Sequence, residues 1–420
     1  MAAARAYGRR GACPGLSTPM PTGDGLLARL TTTRTFDVDR LIGLCGAVRR
    51  HGNGIIEITA RGNFQIRGLD LASHAKFASA MAQLRIGGVD GVSVIADPLA
   101  GLALDAEVDS EFLAGELRRA LSPRRFSHRS APKLSVAIDG GGALHLDGLT
   151  ADVHLRAAVR HEGPWMHIGI AGDATTAHPL GAVEPIHMVE TTVRLLEVVA
   201  NHGPDARARD VIITKGLAPF RAAAANRLVD APLLPLRPSA EPIGMHDMCG
   251  HELAIGIGFA FGHCDALALQ KLAELPCVAR AGFRPAPGRA LLILGIPPRQ
   301  IKRFTTAAKR LGFVVAPDDA RRRVVACAGA PICTSGEIPA RALAPNIAHD
   351  IAPLLAGDEV LHLSGCAKGC AHHGTAALTA IGHNGGCDLL VDGMPAGSCA
   401  VPALPQRLAE LATARRPRHG

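Results

Sequence analysis

Aromatic side chains are scarce: they make up 3% of the 420 residues, with a single Trp, a single Tyr and 11 Phe. The cores must therefore be built from Leu, Ile, Val and Ala. Scarcity of aromatics also removes the base-stacking platforms that nucleic-acid binders use. The surplus of 45 Lys and Arg over 37 Asp and Glu thus points away from nucleic acid and toward acidic lipid or a small polycarboxylate. The basic residues agree, since they come in short clusters (Arg49–Arg50, Arg124–Arg125, Arg321–Arg323) and never as a tract. No apolar run approaches the ~18 residues of a membrane span. The stretch from Met1 to Gly15 carries arginines but no apolar core, so no secretory signal is expected and the chain reads as cytoplasmic. With 48% hydrophobic and 20% charged residues, a disordered chain is ruled out, and the length suggests about two to four compact units.

Cysteine is the informative residue. There are 11, an odd number, and a reducing compartment argues against a disulfide framework. Four of them form two close pairs, Cys327-Ala-Gly-Ala-Pro-Ile-Cys333 and Cys366-Ala-Lys-Gly-Cys370. Each pair follows a β-like run, Arg323–Ala326 and Val360–Leu363. Four thiolates converging from adjacent loops suit a 4Fe–4S cubane, one thiolate per iron. Gly329, Gly365 and Gly369 let the backbone approach such a cluster closely. Zinc is the alternative, although structural zinc pairs usually stand closer in sequence than the first pair here. Four separate buried cysteines are a third reading. Cys13, Cys45, Cys249, Cys264, Cys277, Cys387 and Cys399 have no paired spacing, and core packing is their expected role.

The chain also repeats itself. A shift of 227 lays Arg61–Leu69 on Gly288–Ile296, pairing Phe64 with Leu291, Ile66 with Ile293 and Gly68 with Gly295. The same shift pairs Phe77 with Phe304 and Leu84 with Leu311, and Phe36-Asp37 resembles Cys264-Asp265 upstream. Alternation marks strands, and i, i+3, i+4 spacing predicts helices near 37–50, 72–85, 265–275 and 299–311. The expected plan is α+β, a pseudo-twofold duplication in which each half is a ferredoxin-like unit followed by a larger α+β unit. The expected bounds are 13–95 and 96–230, a Pro-rich linker at 231–242, then 243–318 and 319–415. Val94–Asp97 falls on Val324–Cys327, and Leu134–Asp139 on Leu361–Cys366, so Asp97 and Asp139 are expected where the second half has Cys327 and Cys366.

The two Cys pairs, the duplication and Thr59-Ala-Arg-Gly-Asn-Phe-Gln65 together resemble the sulfite/nitrite reductase superfamily. Arg10–Gly15, Pro19–Leu27, Ala137–Gly142 and Ser364–His372 are similar to its precorrin-3B synthase branch, of aerobic cobalamin biosynthesis. That resemblance implies an oxidoreductase, a monooxygenase acting on precorrin-3A with O2. It implies a 4Fe–4S cluster, a mononuclear non-haem iron and an external electron donor, an NADH-linked or ferredoxin-like reductase. It also implies that Arg61 and Gln65 line a tetrapyrrole pocket and that Lys133 stands where the family carries lysines for the macrocycle. Arg67 should share the face of Gln65, two residues along one strand. Lys215 is a weaker candidate for the same task. His372 and His373, just after Cys370, are candidate iron ligands. The alternative within the superfamily is a siroheme-dependent sulfite or nitrite reductase. Two departures weigh against it: Ala367-Lys368 replaces the usual Pro-Asn, and Val92 occupies a place that is usually arginine. A non-catalytic iron–sulfur or tetrapyrrole-binding protein is the reading from a different class.

Overall fold

A computed structural model describes residues 14–31, 35–87, 91–121, 126, 130–160, 163–356, 359–372 and 374–415. Cys13, Arg124, Arg125 and His373 lie outside these residues. The first half opens with strands β1 (Met20–Thr22) and β2 (Gly25–Leu30), helix α1 (Val38–His51), β3 (Ile55–Ile58), β4 (Phe64–Leu69) and α2 (Leu71–Gln83). It continues with β5 (Ser93–Ala96), α3 (Ser110–Ala120), β6 (Ser135–Asp139), β7 (Ala151–Arg160), β8 (Gly163–Gly172) and β9 (His178–Val183). Three helices close it: α4 (Pro185–His202), α5 (Ala208–Lys215) and α6 (Ala218–Ala224). The second half begins with β10 (Gly244–Asp247), β11 (Leu253–Gly258), β12 (His263–Asp265), α7 (Ala266–Ala273), β13 (Gly282–Ala286), β14 (Ala290–Leu294) and α8 (Ile301–Arg310). It ends with β15 (Val324–Ala326), α9 (Ala340–Ile351), β16 (Leu361–Ser364), β17 (Leu378–His383), β18 (Gly386–Val391), β19 (Met394–Ala400) and α10 (Leu404–Arg415).

The fold is the duplicated α+β plan, and the strand order makes the duplication visible. The two larger sheets run β5-β6-β7-β8-β9 and β15-β16-β17-β18-β19. In each, the first two pairings are parallel and the last two antiparallel. The expected boundary at 95/96 falls inside β5, which pairs in the larger sheet.

The ferredoxin-like copies are interleaved. β12 of the second half pairs antiparallel with β3 of the first. In return, Phe36 and Phe283 exchange two backbone hydrogen bonds of 2.8 Å. The matching residues Asp37 and Asp265 then cap α1 and α7, accepting from Arg40 N and from Leu267 and Ala268 N. The two copies share one core, in which Leu44, Ile56, Phe64 and Phe77 pack with Ile255, Leu269, Phe283 and Phe304. Alternation along β4 sends Phe64 and Ile66 into that core and leaves Gln65 for the other face of the sheet.

The segment 231–242 is extended and strapped to the first larger unit. Pro235 and Pro238 carbonyls accept from Arg156 (2.9 Å) and pair with His145 Nε2 (2.8 Å). Among the described residues, no helix is long and apolar enough to cross a membrane.

Candidate metal and substrate site

Two parallel strand ends place the thiols. β15 and β16 lie side by side, Ala326 opposite Leu363, so Cys327 and Cys366 emerge together just past their C-terminal ends. Cys327 N donates to Leu363 O (3.2 Å), and Gly365 N donates to Cys327 Sγ (3.0 Å). The loop after Cys327 then folds back, with Cys333 N donating to Gly329 O (2.8 Å). Glycine is required at two of these positions. Gly329 has a left-handed φ of 63° and no room for a Cβ against Ala340 N. A Cβ on Gly365 would stand 2.9 Å from Gly329 Cα and 3.3 Å from Cys327 Sγ.

The first half reaches into this site. Thr334 donates from N (2.8 Å) and Oγ1 (2.9 Å) to the carbonyl of Gly23, in the β1–β2 turn. A Cβ on Gly23 would overlap Cys333 Sγ. Gly23→Ala is therefore expected to displace Cys333 and lower the iron bound per chain at least severalfold, with little change in helix content. Iron assay beside circular dichroism checks this; full iron in the variant would contradict the packing.

Burial first, and then the neighbouring thiols, push Cys327 and Cys370 above the ordinary thiol value. Metal binding must displace protons there and is favoured as pH rises. Among the described residues, only Asp139, His145 and Asp147 bring three potential ligand atoms within 4.8 Å of one another. No three of the four thiols are thus mutually as close as one tetrahedral zinc with ~2.3 Å bonds, and ~3.8 Å between sulfurs, would hold them. Two cysteine pairs that open side by side past β15 and β16 fit a multi-iron core, one thiolate per iron.

Charged side chains on the face of β3 and β4 turned away from the shared core stand near the thiols, Arg67 by Cys370 and Arg341 by Cys327. Arg67 holds Asp24 in a two-point contact (2.8 and 3.0 Å) and lies 3.8 Å from Glu57. Burial works against the Asp24 carboxylate, but Arg67 more than offsets it and leaves Asp24 below the usual carboxylate range. Arg341, in the first turn of α9, reaches Glu57 at 3.3 Å. Its Nε and Nη1 are buried without a hydrogen-bond partner. Arg289 donates to the carbonyl of Ala371 (2.9 Å), next to Cys370. His263, opposite Glu57 on β12, is pushed down to about 3 by burial and by Arg341, and so is neutral.

The expected substrate residues separate into groups. Gln65 donates to Glu57 (2.6 Å) and accepts from Arg29 (3.3 Å), so Gln65 and Arg67 meet at one carboxylate on the thiol side. Arg61 instead donates to the Thr150 carbonyl and lines a small cleft with Asn63, Asp97, Arg118 and Arg284. Lys133 is exposed before β6, at the strand end opposite Asp139. Lys215 is exposed at the end of α5. The His372 ring stands edge-on to His362, centroids 5.7 Å apart. Sequence reasoning misses Glu57, Asp24, Arg289 and Arg341. The repeat holds one signal for them, because the 227 shift sets Arg289 on Gly62 in equivalent turns.

Of the other cysteines, Cys45, Cys264, Cys277 and Cys387 are buried, and Cys399 is half-buried. Cys249 departs from the expected core role: it is exposed, its thiol donating to Ala103 O at 3.4 Å.

The twin of the thiol site lies in the first half. Asp97 takes the place of Cys327: Asp97 N donates to Ile138 O at 3.2 Å, and Gly140 N donates to its Oδ2 at 3.0 Å. Asp139, however, does not match Cys366. Pairing sets Ile138 opposite Ala96 as Leu363 is opposite Ala326, so Asp139 corresponds to Ser364 and Gly141 to Cys366. A slip of two residues preserves the buried face of a strand, so apolar alternation alone could not detect it. Carried on to β7 and β17, the same register puts His145 at Cys370 and Asp147 at His372.

The Asp139–His145–Asp147 group is already filled. Arg237, from the linker, ion-pairs with Asp139 and, through Nε at 3.0 Å, with Asp147. Gly141 N and Leu146 N also donate to Asp139 (2.8 and 3.4 Å). A guanidinium stands where a cation would, so these residues do not fit a metal ion.

Comparison with known proteins follows the same lines. The family profile "Nitrite/Sulfite reductase ferredoxin-like half domain" matches residues 18–84. A curated Sinorhizobium protein named precorrin-3B synthase is 36% identical over 391 residues, which is 93% of this chain and 84% of the relative. The solved structure of Mycobacterium tuberculosis NirA protein is similar in fold, with a TM-score of 0.75 at 19% identity, covering 94% of this chain and 82% of NirA.

Proposed function

The chain belongs to the precorrin-3B synthase family of enzymes, within the sulfite/nitrite reductase superfamily, and from this we propose that it hydroxylates and lactonises precorrin-3A with O2. Cys327, Cys333, Cys366 and Cys370 hold a 4Fe–4S cluster in this reading. When bound, the cluster supplies single electrons from an external NADH-linked or ferredoxin-like reductase. What supports the proposal is that Cys327 and Cys366 follow the ends of two adjacent parallel strands, each opening a close cysteine pair, in a chain 36% identical to the curated relative.

The chain's own residues orient the substrate and neutralise its charge. Arg61 and Lys133 supply cations for the carboxylates of the macrocycle. Gln65 and Arg67 act behind them, since their hydrogen bonds go to Glu57, Asp24 and Arg29. They set the orientation of the charged layer beside the thiols. Among the described residues no open three-ligand set fits a mononuclear iron, and His372 packs on His362. The reducing cytoplasm, where the thiols stay available for metal, is the proposed compartment.

The test is anaerobic purification with iron and sulfide assay, a visible spectrum, and incubation with precorrin-3A, reductant and labelled O2. A broad brown absorption and an oxygen-dependent mass gain in the tetrapyrrole are expected. Sharp siroheme bands, or no mass gain with the cluster intact, would overturn the reading. The siroheme alternative is the less favoured, given Ala367-Lys368 and Val92.

A further inference from the structure

An open groove of about 700 Å³ lies between α7 and α8. Five cations rim it: Lys271, Arg299, Lys302, Arg303 and Arg310, all exposed. No acidic residue lines it. Its floor is apolar, formed by Leu275, Ala307 and Leu311. The geometry follows from the amphipathic pattern of α8. Phe304 and Ala308 enter the shared core, so Lys302, Arg303 and Arg310 are left on the solvent face.

Four of the five cations belong to one copy of the repeat only. At the 227 shift, Arg299, Lys302, Arg303 and Arg310 meet Ala72, Ala75, Lys76 and Gln83 on α2; in the register that matches the caps Asp37 and Asp265, one residue longer, Lys271 meets Gly43 on α1. The core positions of these helices match across the copies, Phe77 with Phe304, while the outer face has diverged to concentrated positive charge. Folding alone does not call for that concentration, because like charges crowded on one face repel.

We propose that this groove binds a polycarboxylated tetrapyrrole, as a second site distinct from the reaction cleft. An apolar floor suits the face of the macrocycle, and several separated cations suit carboxylates placed around its edge. The choice of tetrapyrrole rests on the function proposed above. The groove is not a port for the reductant: α8 turns Phe304 and Ala308 into the shared core beneath the groove, whereas Arg67, beside Cys370, lies on the other face of β4 from the core residues Phe64 and Ile66. Nucleic acid fits poorly, because no aromatic side chain lines the groove.

The test uses the full-length protein and uroporphyrin, a stable polycarboxylated tetrapyrrole, in a fluorescence titration. Wild type is compared with the triple variant Lys302→Ala, Arg303→Ala, Arg310→Ala. The wild type should show a salt-sensitive class of sites that the variant binds at least tenfold more weakly. The single-turnover rate of precorrin-3A oxygenation should stay unchanged. Identical titrations for the two proteins would overturn the proposal. So would displacement of uroporphyrin from that class by polyglutamate at equal charge concentration, which would mark a surface for acidic protein. If the variant loses the site but neither protein oxygenates precorrin-3A, the function proposed above fails and the groove stands. If both oxygenate and bind alike, the groove fails alone.

Discussion

Cys366→Ser should yield a folded protein that has lost the brown absorption and, with it, all oxygenation of precorrin-3A. Cys366 starts the second pair directly past the end of β16, where its backbone is fixed by Ser364 Oγ donating to its carbonyl (2.6 Å). The neighbouring Gly365 is locked against Gly329 and Cys327. A serine hydroxyl is a poor ligand for iron–sulfur clusters, which are held by thiolates. The loop has little freedom to offer a substitute, since Glu337 N donates to Gly365 O (2.7 Å) and ties the two Cys loops together. Helix content should remain near wild type, because the core of this unit is formed by residues such as Ile347, Leu361 and Leu378 away from the thiols. Iron and sulfide assay, the visible spectrum and single-turnover oxygenation read the outcome. Retained activity with a stoichiometric cluster would remove the four-thiol site from the mechanism.

The residues that make this site legible in sequence are those with unusual chemistry at fixed spacing. Cys327, Cys333, Cys366 and Cys370 stand out as two pairs by spacing alone, and the strands leading into them are betrayed by their apolar runs. The repeat is legible for a related reason: core positions such as Phe64, Ile66 and Phe77 keep apolar partners at a constant shift. What escapes is information that crosses between halves. The exchange of Phe36 and β12 across the copies depends on which strand edge is nearer after folding, and no local pattern encodes that.

Charge pairing escapes for the same reason. Glu57 gathers Gln65, Arg67 and Arg341 from sequence separations of 8 to 284 residues, and Glu57 and Arg341 each alone read as an ordinary surface charge. The Asp139 mismatch has another origin, since a two-residue slip leaves the apolar alternation intact and only the hydrogen-bond register exposes it. In physical terms, composition and period report on burial. They do not report on which buried polar groups find each other.

Arg237→Ala carries that point to the twin site, with an expected loss of about 3–5 kcal/mol in stability at neutral pH, the usual cost of leaving a buried carboxylate unpaired. The Asp139 side chain is 0% exposed and that of Asp147 9%, and one guanidinium serves both. Arg156, 3.5 Å from Asp147, compensates only part of the loss. The pH dependence has a definite sign. In the wild type, burial raises Asp147, but Arg237 and then Arg156 and His145 hold it below the ordinary carboxylate value. That contribution is complete above the unfolded-state value near 3.9 and is lost only as pH falls through the lower folded value. In the variant, burial acts on Asp147 with less opposition and pushes it upward, so the penalty is greatest when it is ionised. The stability gap between wild type and variant should therefore be widest near pH 7 and narrow toward pH 4, as protonation of Asp147 relieves its unpaired charge. Urea denaturation at several pH values measures it. Adding Asp139→Asn and Asp147→Asn to the variant should restore much of the loss, because neutral amides are far less costly to bury than unpaired carboxylates. A gap that does not change with pH would mean that Arg237 acts by packing alone, and that the group matching Ser364, Cys370 and His372 is not held together by its charge.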